Sequence, residues 1–283
     1  MPAVFVLIWS TGFVVARYGM PHAPPLGFLA LRYALSVLAF VVWIAVSRAA
    51  WPVGRTQWLH LAVSGVLMHA GYLGGVWMAV KAGIGAGTVS LIVGLQPVLT
   101  AVWLSASGSA HAVAARQWAG LSLGLCGLLL VVGHKLGLGE VTPWNLSLAV
   151  LALLSISAGT LYQKRFVAPC DVRTANTVQL AAALVVTAPL AWIENGAWQA
   201  HPELFGAMAW SVLVLTLGGS SLLYLLIQRG AATRVVSLMY LVPPCTAVLA
   251  AVLFGEALGV SVLAGFALTA AGVWLVVQGR TAQ

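Results

Sequence analysis

Ten apolar runs, each long enough to cross a bilayer as a helix, follow one another along this chain with little between them. They lie near residues 3–19, 26–46, 58–80, 85–106, 114–133, 144–164, 174–193, 204–228, 233–253 and 258–278. Charge or clusters of Pro and Gly bound each run. At roughly 20 residues per span, the runs use most of the 283 residues and leave no room for an extramembrane domain. A soluble domain carries about 25% charged residues. Here only 6% are charged and 61% are hydrophobic, too few charges to cover a water-facing surface of this size. The runs show no period-2 alternation, so helices are expected rather than barrel strands. The chain reads as an all-α polytopic membrane protein with ten transmembrane helices.

The net charge of +8 does not point to nucleic acid, because no basic run is longer than Lys164-Arg165. The basic residues report orientation instead. With the N-terminus inside, Arg48, Arg55, Arg116, Lys164, Arg165, Arg173, Arg229, Arg234 and Arg280 fall on the inner side. Arg17, Arg32, Lys81 and Lys135 fall on the outer side, as do the acids Glu140, Glu194, Glu203 and Glu256. Nine against four is a positive-inside bias, and it predicts cytoplasmic termini in a bacterial-type inner membrane. The first run lacks the basic segment that precedes a signal peptide's apolar core, so it reads as a retained helix. Cys126, Cys170 and Cys245 are an odd number without a CxxC pair, which supports neither a disulfide framework nor a zinc site.

The two halves repeat. A shift of 147 residues places Ser10 on Ser157, Gly12 on Gly159, Arg17 on Lys164, Ser64 on Ser211 and Gly71 on Gly218. It also places Gly83 on Gly230, Ser90 on Ser237 and Pro97 on Pro244. After a two-residue slip, Gly120 meets Gly265 and Gly127 meets Gly272. A constant register through Gly, Pro and Ser across most of each half predicts repeats over 1–133 and 144–283. Each unit holds five spans, an odd number, so the second copy must enter the membrane inverted. That is an arrangement typical of secondary transporters.

Local motifs carry a resemblance. The stretches WSTGFVVARYG and FLALRYALSVLAF, and the paired AVKAGIGAGTVSLIVGLQPVLTAV and LIQRGAATRVVSLMYLVPPCTAVLAAVLFGEAL, resemble the EamA-type branch of the drug/metabolite transporter superfamily. Gly255-Glu256 closes the ninth span as the family pattern does, whereas the first half has Ser109 at the matching place. The resemblance covers nearly the whole chain. It implies ten helices in two inverted five-helix repeats around a central cavity, and export of amino acids, aromatic ones included, or of other small metabolites.

Polar groups at mid-span cost free energy unless they face a neighbouring helix or a wet cavity. Candidate substrate contacts are Ser10 and Thr11 in span 1, His69, Tyr72 and Trp77 in span 3, and Gln96 in span 4. Ser157 in span 6, Tyr224 in span 8 and Tyr240 in span 9 complete the set. Spans 1, 3, 4, 6, 8 and 9 are therefore expected to line the cavity, a choice closed under the repeat. Each residue has a plainer use. Hydroxyls in membrane helices bond their own i−4 carbonyl, His69 can bridge two helices, and the aromatic rings can simply pack. Pro97, Pro243 and Pro244 free carbonyls one turn back, and Gly83 opens a Gly-rich turn, so these four read as helix breaks or hinges.

Absences narrow the mechanism. The only aspartate is Asp171, there is no HExxH and no phosphate-binding GK[ST] loop, and no carboxylate sits at a span centre. No enzyme activity, cofactor or metal is expected. The expected partners are an amino-acid-like solute and the lipid bilayer. The reading is a secondary transporter using alternating access, facilitated rather than strongly proton-coupled. A channel-like pore, or a membrane enzyme, is the alternative.

Overall fold

The computed structural model describes residues 2–96, 98–100, 103, 115–137, 139–219, 222 and 242–281. The helices are α1 (Pro2–Gly19), α2 (Pro25–Ser47), α3 (Arg55–Lys81), α4 (Ala86–Val93) and α5 (Ala115–Gly137). They continue with α6 (Pro143–Phe166), α7 (Val172–Ile193), α8 (Pro202–Gly219), α9 (Val242–Phe254) and α10 (Val260–Thr281). Six of them are long and apolar enough to cross a membrane, and α1, α4, α9 and α10 add shorter apolar stretches. The chain is an integral, polytopic helical membrane protein.

The helix starts follow from local chemistry. Pro25, Pro143 and Pro202 stand in first turns, where the missing N–H costs nothing. Thr142 and Asn145 form a reciprocal capping box for α6, and Asp171 caps α7. The turn from α3 into α4 needs Gly83, whose φ of +98° strains any residue with a Cβ.

Large apolar side chains cover the outside of the bundle, while polar ones are buried within it. On α2, Leu38 and Val42 are exposed while Arg32, Tyr33 and Ser36 are buried. On α7, Val185 and Ile193 are exposed while Asn176, Thr177 and Gln179 are buried. An apolar outer surface over an interior that buries polar groups among its apolar ones is stable only with lipid outside.

Glycines set the closest helix contacts. Gly120 and Gly124 of α5 lie against Gly272 of α10, and Gly127 lies against Gly265 and Thr269. The G-x-x-x-G of span 5 is thus a packing seam that lets two backbones meet. Gly159 of α6 sits on Leu67 and Met68 of α3, and Gly12 of α1 sits on Leu215 of α8.

One end of the bundle gathers the connections α1–α2, α3–α4, α5–α6, α7–α8 and α9–α10. Glu194 accepts from the amides of Leu26 and Gly27, Lys81 Nζ donates to the Met20 carbonyl at 2.6 Å, and Asn145 donates to the Ala82 carbonyl. At the opposite end Gln57 exchanges hydrogen bonds with Ala168, and Thr174 donates to the Ala50 carbonyl. Glu140, Glu194, Glu203 and Glu256 all lie at the first end, and Asp171 lies at the second.

Candidate functional site

Two helices change pitch where polar groups collect. Residues Val66–Gly71 of α3 and Trp210–Gly219 of α8 are π-helical. Such segments leave carbonyls without their usual partner and recur at functional sites. The Tyr33 hydroxyl donates to the His69 carbonyl at 2.9 Å. The Thr216 hydroxyl donates to the Ser211 carbonyl, five residues back, at 2.8 Å. Arg32 of α2 reaches α8, its Nε and Nη2 donating to Thr216 Oγ1 at 3.3 and 3.2 Å. Gln179 of α7 reaches α3, its amide donating to Ser64 Oγ at 2.9 Å. Under the 147-residue shift, Arg32 corresponds to Gln179 and His69 to Thr216, and residues 66–71 fall on 213–218 inside the second π segment.

A second polar group closes the end of the bundle where the acids gather. Glu256 accepts from the amides of Ala86 and Gly87 at 2.9 and 3.4 Å, with Arg17 at 3.5 Å. Glu140 accepts from the Gly85 amide at 3.1 Å and pairs with Lys135 at 2.8 Å. Two carboxylates therefore cap the first turn of α4, where the helix dipole favours negative charge. A Cβ on Gly85 would stand 2.6 Å from Glu140 Oε1 and 2.7 Å from Glu256 Oε2, so this double cap needs glycine.

A model of the EamA-like transporter family matches the chain twice, over residues 3–133 and 143–278. The chain belongs to the EamA-like transporter family. A Salmonella typhimurium relative described as "Probable amino-acid metabolite efflux pump" is 27% identical, over 97% of this chain and 92% of its own length. The Escherichia coli "Uncharacterized inner membrane transporter YedA" is 26% identical over 75% of this chain and 68% of its own. A solved crystal structure superposes with a TM-score of 0.65 at 19% identity, over 97% of this chain and 95% of the other, a likeness of fold.

Family membership makes the chain a membrane transporter, and the candidates named from sequence can be placed. His69 sits in the first π segment, with Tyr72 following it directly, buried. Ser10 is fully buried, and its hydroxyl donates to the Val6 carbonyl at 2.7 Å. Thr11 donates to the Ile8 carbonyl and accepts from Trp210 Nε1 at 2.9 Å. Ser157 donates to the Leu153 carbonyl. Gln96, just past the end of α4, donates to Thr160 Oγ1 of α6 at 2.9 Å. Trp77 is 1% exposed and stacks on Phe28 at 4.4 Å. Pro243 and Pro244 stand in the first turn of α9 as described. Tyr224, Tyr240 and Pro97 lie outside the described residues.

Arg32, Tyr33, Gln179 and Thr216 were not among those candidates. Arg32, counted above with the outer basic residues, is instead buried about 10 Å along α2 from Pro25. The signal was present: a charge inside an apolar run is expensive and marks a site. Arg32 draws α2 into the polar cluster and Gln179 draws in α7, beside the spans expected to line the cavity.

One group of metal-ligand types occurs among the described residues. His22, His201 and Glu203 bring their ligand atoms within 4.8 Å of one another. The two imidazoles are stacked at 4.2 Å with planes 12° apart, so their in-plane lone pairs run parallel rather than converging on one ion. Glu203 instead holds His22 Nε2 at 2.9 Å, which ties the α1–α2 connection to the start of α8.

Proposed function

We infer that the chain exports amino acids or similar small zwitterionic or neutral metabolites across the inner membrane. It does so by alternating exposure of one central cavity. Ten spans in two inverted five-helix repeats, 1–133 and 144–283, carry the movement. The observation that supports this most is the exchange of partners between halves. Gly159 on Met68 corresponds, under the 147-residue shift, to Gly12 on Leu215. Under the two-residue slip, Gly120 against Gly272 corresponds to Gly265 against Gly127. Reciprocal contacts of this kind are the signature of a two-fold axis. Two related halves that repack against each other can expose one site to either side in turn.

The amino-acid class rests on the relative described as an amino-acid metabolite efflux pump, and the inner membrane on the relative described as an inner membrane transporter. Basic residues concentrate at the Asp171 end of the bundle, so that end and both termini are assigned to the cytoplasm. All five carboxylates are held at helix ends, which favours facilitated exchange over strong proton coupling.

The test is flux of labelled amino acids into liposomes holding the purified protein. Flux of at least one amino acid that saturates with concentration supports the reading. Linear, unsaturable flux favours a channel, and a chemical conversion without flux favours a membrane enzyme.

A further inference from the structure

The polar cluster contains a charge that no described residue neutralises. Arg32 is 7% exposed on the inward face of α2, among side chains that are otherwise apolar or uncharged. Its guanidinium presents five N–H donors. Among the described residues it meets one acceptor, the neutral hydroxyl of Thr216, at 3.2 to 3.3 Å. Tyr33, Tyr72 and His69 lie within its electrostatic reach. Ser36, one turn along the same face, is fully buried and its hydroxyl has no partner among the described residues.

No carboxylate in the sequence is left to serve as counter-ion. Glu140 is paired with Lys135, Glu256 with Arg17, Asp171 with Arg173 and Glu203 with His22. Glu194 is bound to the Leu26 and Gly27 amides at the end of α2. A buried cation without an anion is costly, and the cost is met only when an anionic group binds it.

The second half supplies a control inside the same molecule. Gln179 occupies the position related to Arg32 and ties its helix to the neighbouring π-containing helix through a neutral amide. Bridging these helices therefore does not require a charge. What the charge adds on one side only is an anion site.

We propose that Arg32 is the anion-binding residue of the transport site, and that the transported solute carries a carboxylate which completes its ion pair. This rests on the transport reading above and narrows it: neutral solutes without an acid group are excluded, and amino acids with a free carboxylate remain. A carboxylate matches the guanidinium fork with two parallel hydrogen bonds. The unpartnered Ser36 hydroxyl lies along the same face to receive the solute's remaining polar groups.

The experiment is counterflow of labelled leucine and phenylalanine in proteoliposomes, with phenylalanine and phenylalaninamide as a matched pair of competitors. Assayed at about pH 6, below the α-amine's titration range, the amide keeps the ring and ammonium and loses only the carboxylate charge. The wild type should be inhibited at least about tenfold more strongly by the acid, because a site built to bind a group rejects an analogue lacking it. Arg32→Gln, checked as folded by size-exclusion and thermal unfolding, should lose that discrimination, and Arg32→Lys should keep part of it. Equal competition by acid and amide in the wild type overturns the proposal whether or not the variants fold. So does full discrimination retained by folded Arg32→Gln. If the wild type exchanges no amino acid, the broader reading fails first, and a binding assay then decides on Arg32 alone. Thermal stabilisation of the wild type by benzoate or short aliphatic carboxylates, lost in Arg32→Gln, supports the anion site. No stabilisation by any of them overturns it.

Discussion

The Glu256 carboxylate lies 2.9 Å from the amide nitrogen of Ala86, so the α9–α10 connection caps a helix of the opposite half of the chain. Arg17 of α1 approaches the same carboxylate at 3.5 Å, and Glu140 completes the cap on Gly85. In an alternating carrier a knot of this kind holds one end shut and must loosen for that end to open.

Glu256→Gln keeps an acceptor for the amides and removes the charge that faces both Arg17 and the helix dipole. It should cost about 1–2 kcal/mol, read as a lower thermal midpoint in detergent. Gly85→Ala should be at least as damaging, since its methyl group would displace both carboxylates. Unchanged midpoints in both variants would mean that the cap does not hold this end together.

Tyr72 and Trp77 were singled out together, and the structure separates their environments. Trp77→Ala removes a ring stacked on Phe28 in a site only 1% exposed and should cost about 2–5 kcal/mol through the cavity it leaves. Tyr72→Ala and His69→Ala, at the π segment, should leave folded protein with altered transport kinetics. Thermal unfolding and counterflow on the same preparations separate the two effects. A stable Trp77→Ala protein that has lost transport would move Trp77 to the site.

Much of the fold was readable from sequence because the bilayer punishes an unpaired backbone group, so each apolar run had to become a helix. The described helices begin and end within a few residues of the expected spans, except at the ends of α4 and α8 and the start of α9, where the expected spans run into residues outside those described. The glycine register was readable too, since Gly12, Gly120, Gly127, Gly159, Gly265 and Gly272 sit where backbones meet. The polar cluster was less legible. Ser10, Thr11 and Ser157 looked like cavity residues, yet each donates to a carbonyl of its own preceding turn, a choice that spacing does not reveal. Arg32 was misplaced because a charge seven residues into a span looks like a boundary in a hydropathy reading. Only the packing of α2 on α8 shows that it points inward.

Asp171 gives a pH dependence at the other end of the bundle. Its carboxylate caps α7 through the Arg173 amide and accepts from the Arg173 side chain at 2.6 and 2.9 Å, which holds its pKa below the ordinary carboxylate value. A group whose pKa is lower in the folded state stabilises above its unfolded value, near pH 4. That contribution is lost as the pH falls through the folded value. Asp171→Asn should therefore unfold at a lower temperature than wild type at pH 6 to 7, as expected from those values. The difference should shrink towards pH 3. A difference that grows on acidification would contradict the assignment.

Proton drive should be weak. The carboxylates that usually couple transport are all held at helix ends, which leaves His69 as the titratable group at mid-depth besides the phenols. An imposed pH gradient without a solute gradient should produce little net accumulation of phenylalanine in proteoliposomes. Strong uphill accumulation that His69→Ala abolishes would make the histidine the coupling site.

Alternating exposure of one site to the two sides of the membrane should show as trans-stimulation. Proteoliposomes are loaded with unlabelled phenylalanine or left empty, and entry of labelled phenylalanine is timed. A carrier returns faster when loaded, so entry should be several-fold quicker into the loaded vesicles and should saturate with external concentration. Equal entry rates into loaded and empty vesicles, rising linearly with concentration, would contradict alternating access and describe a pore.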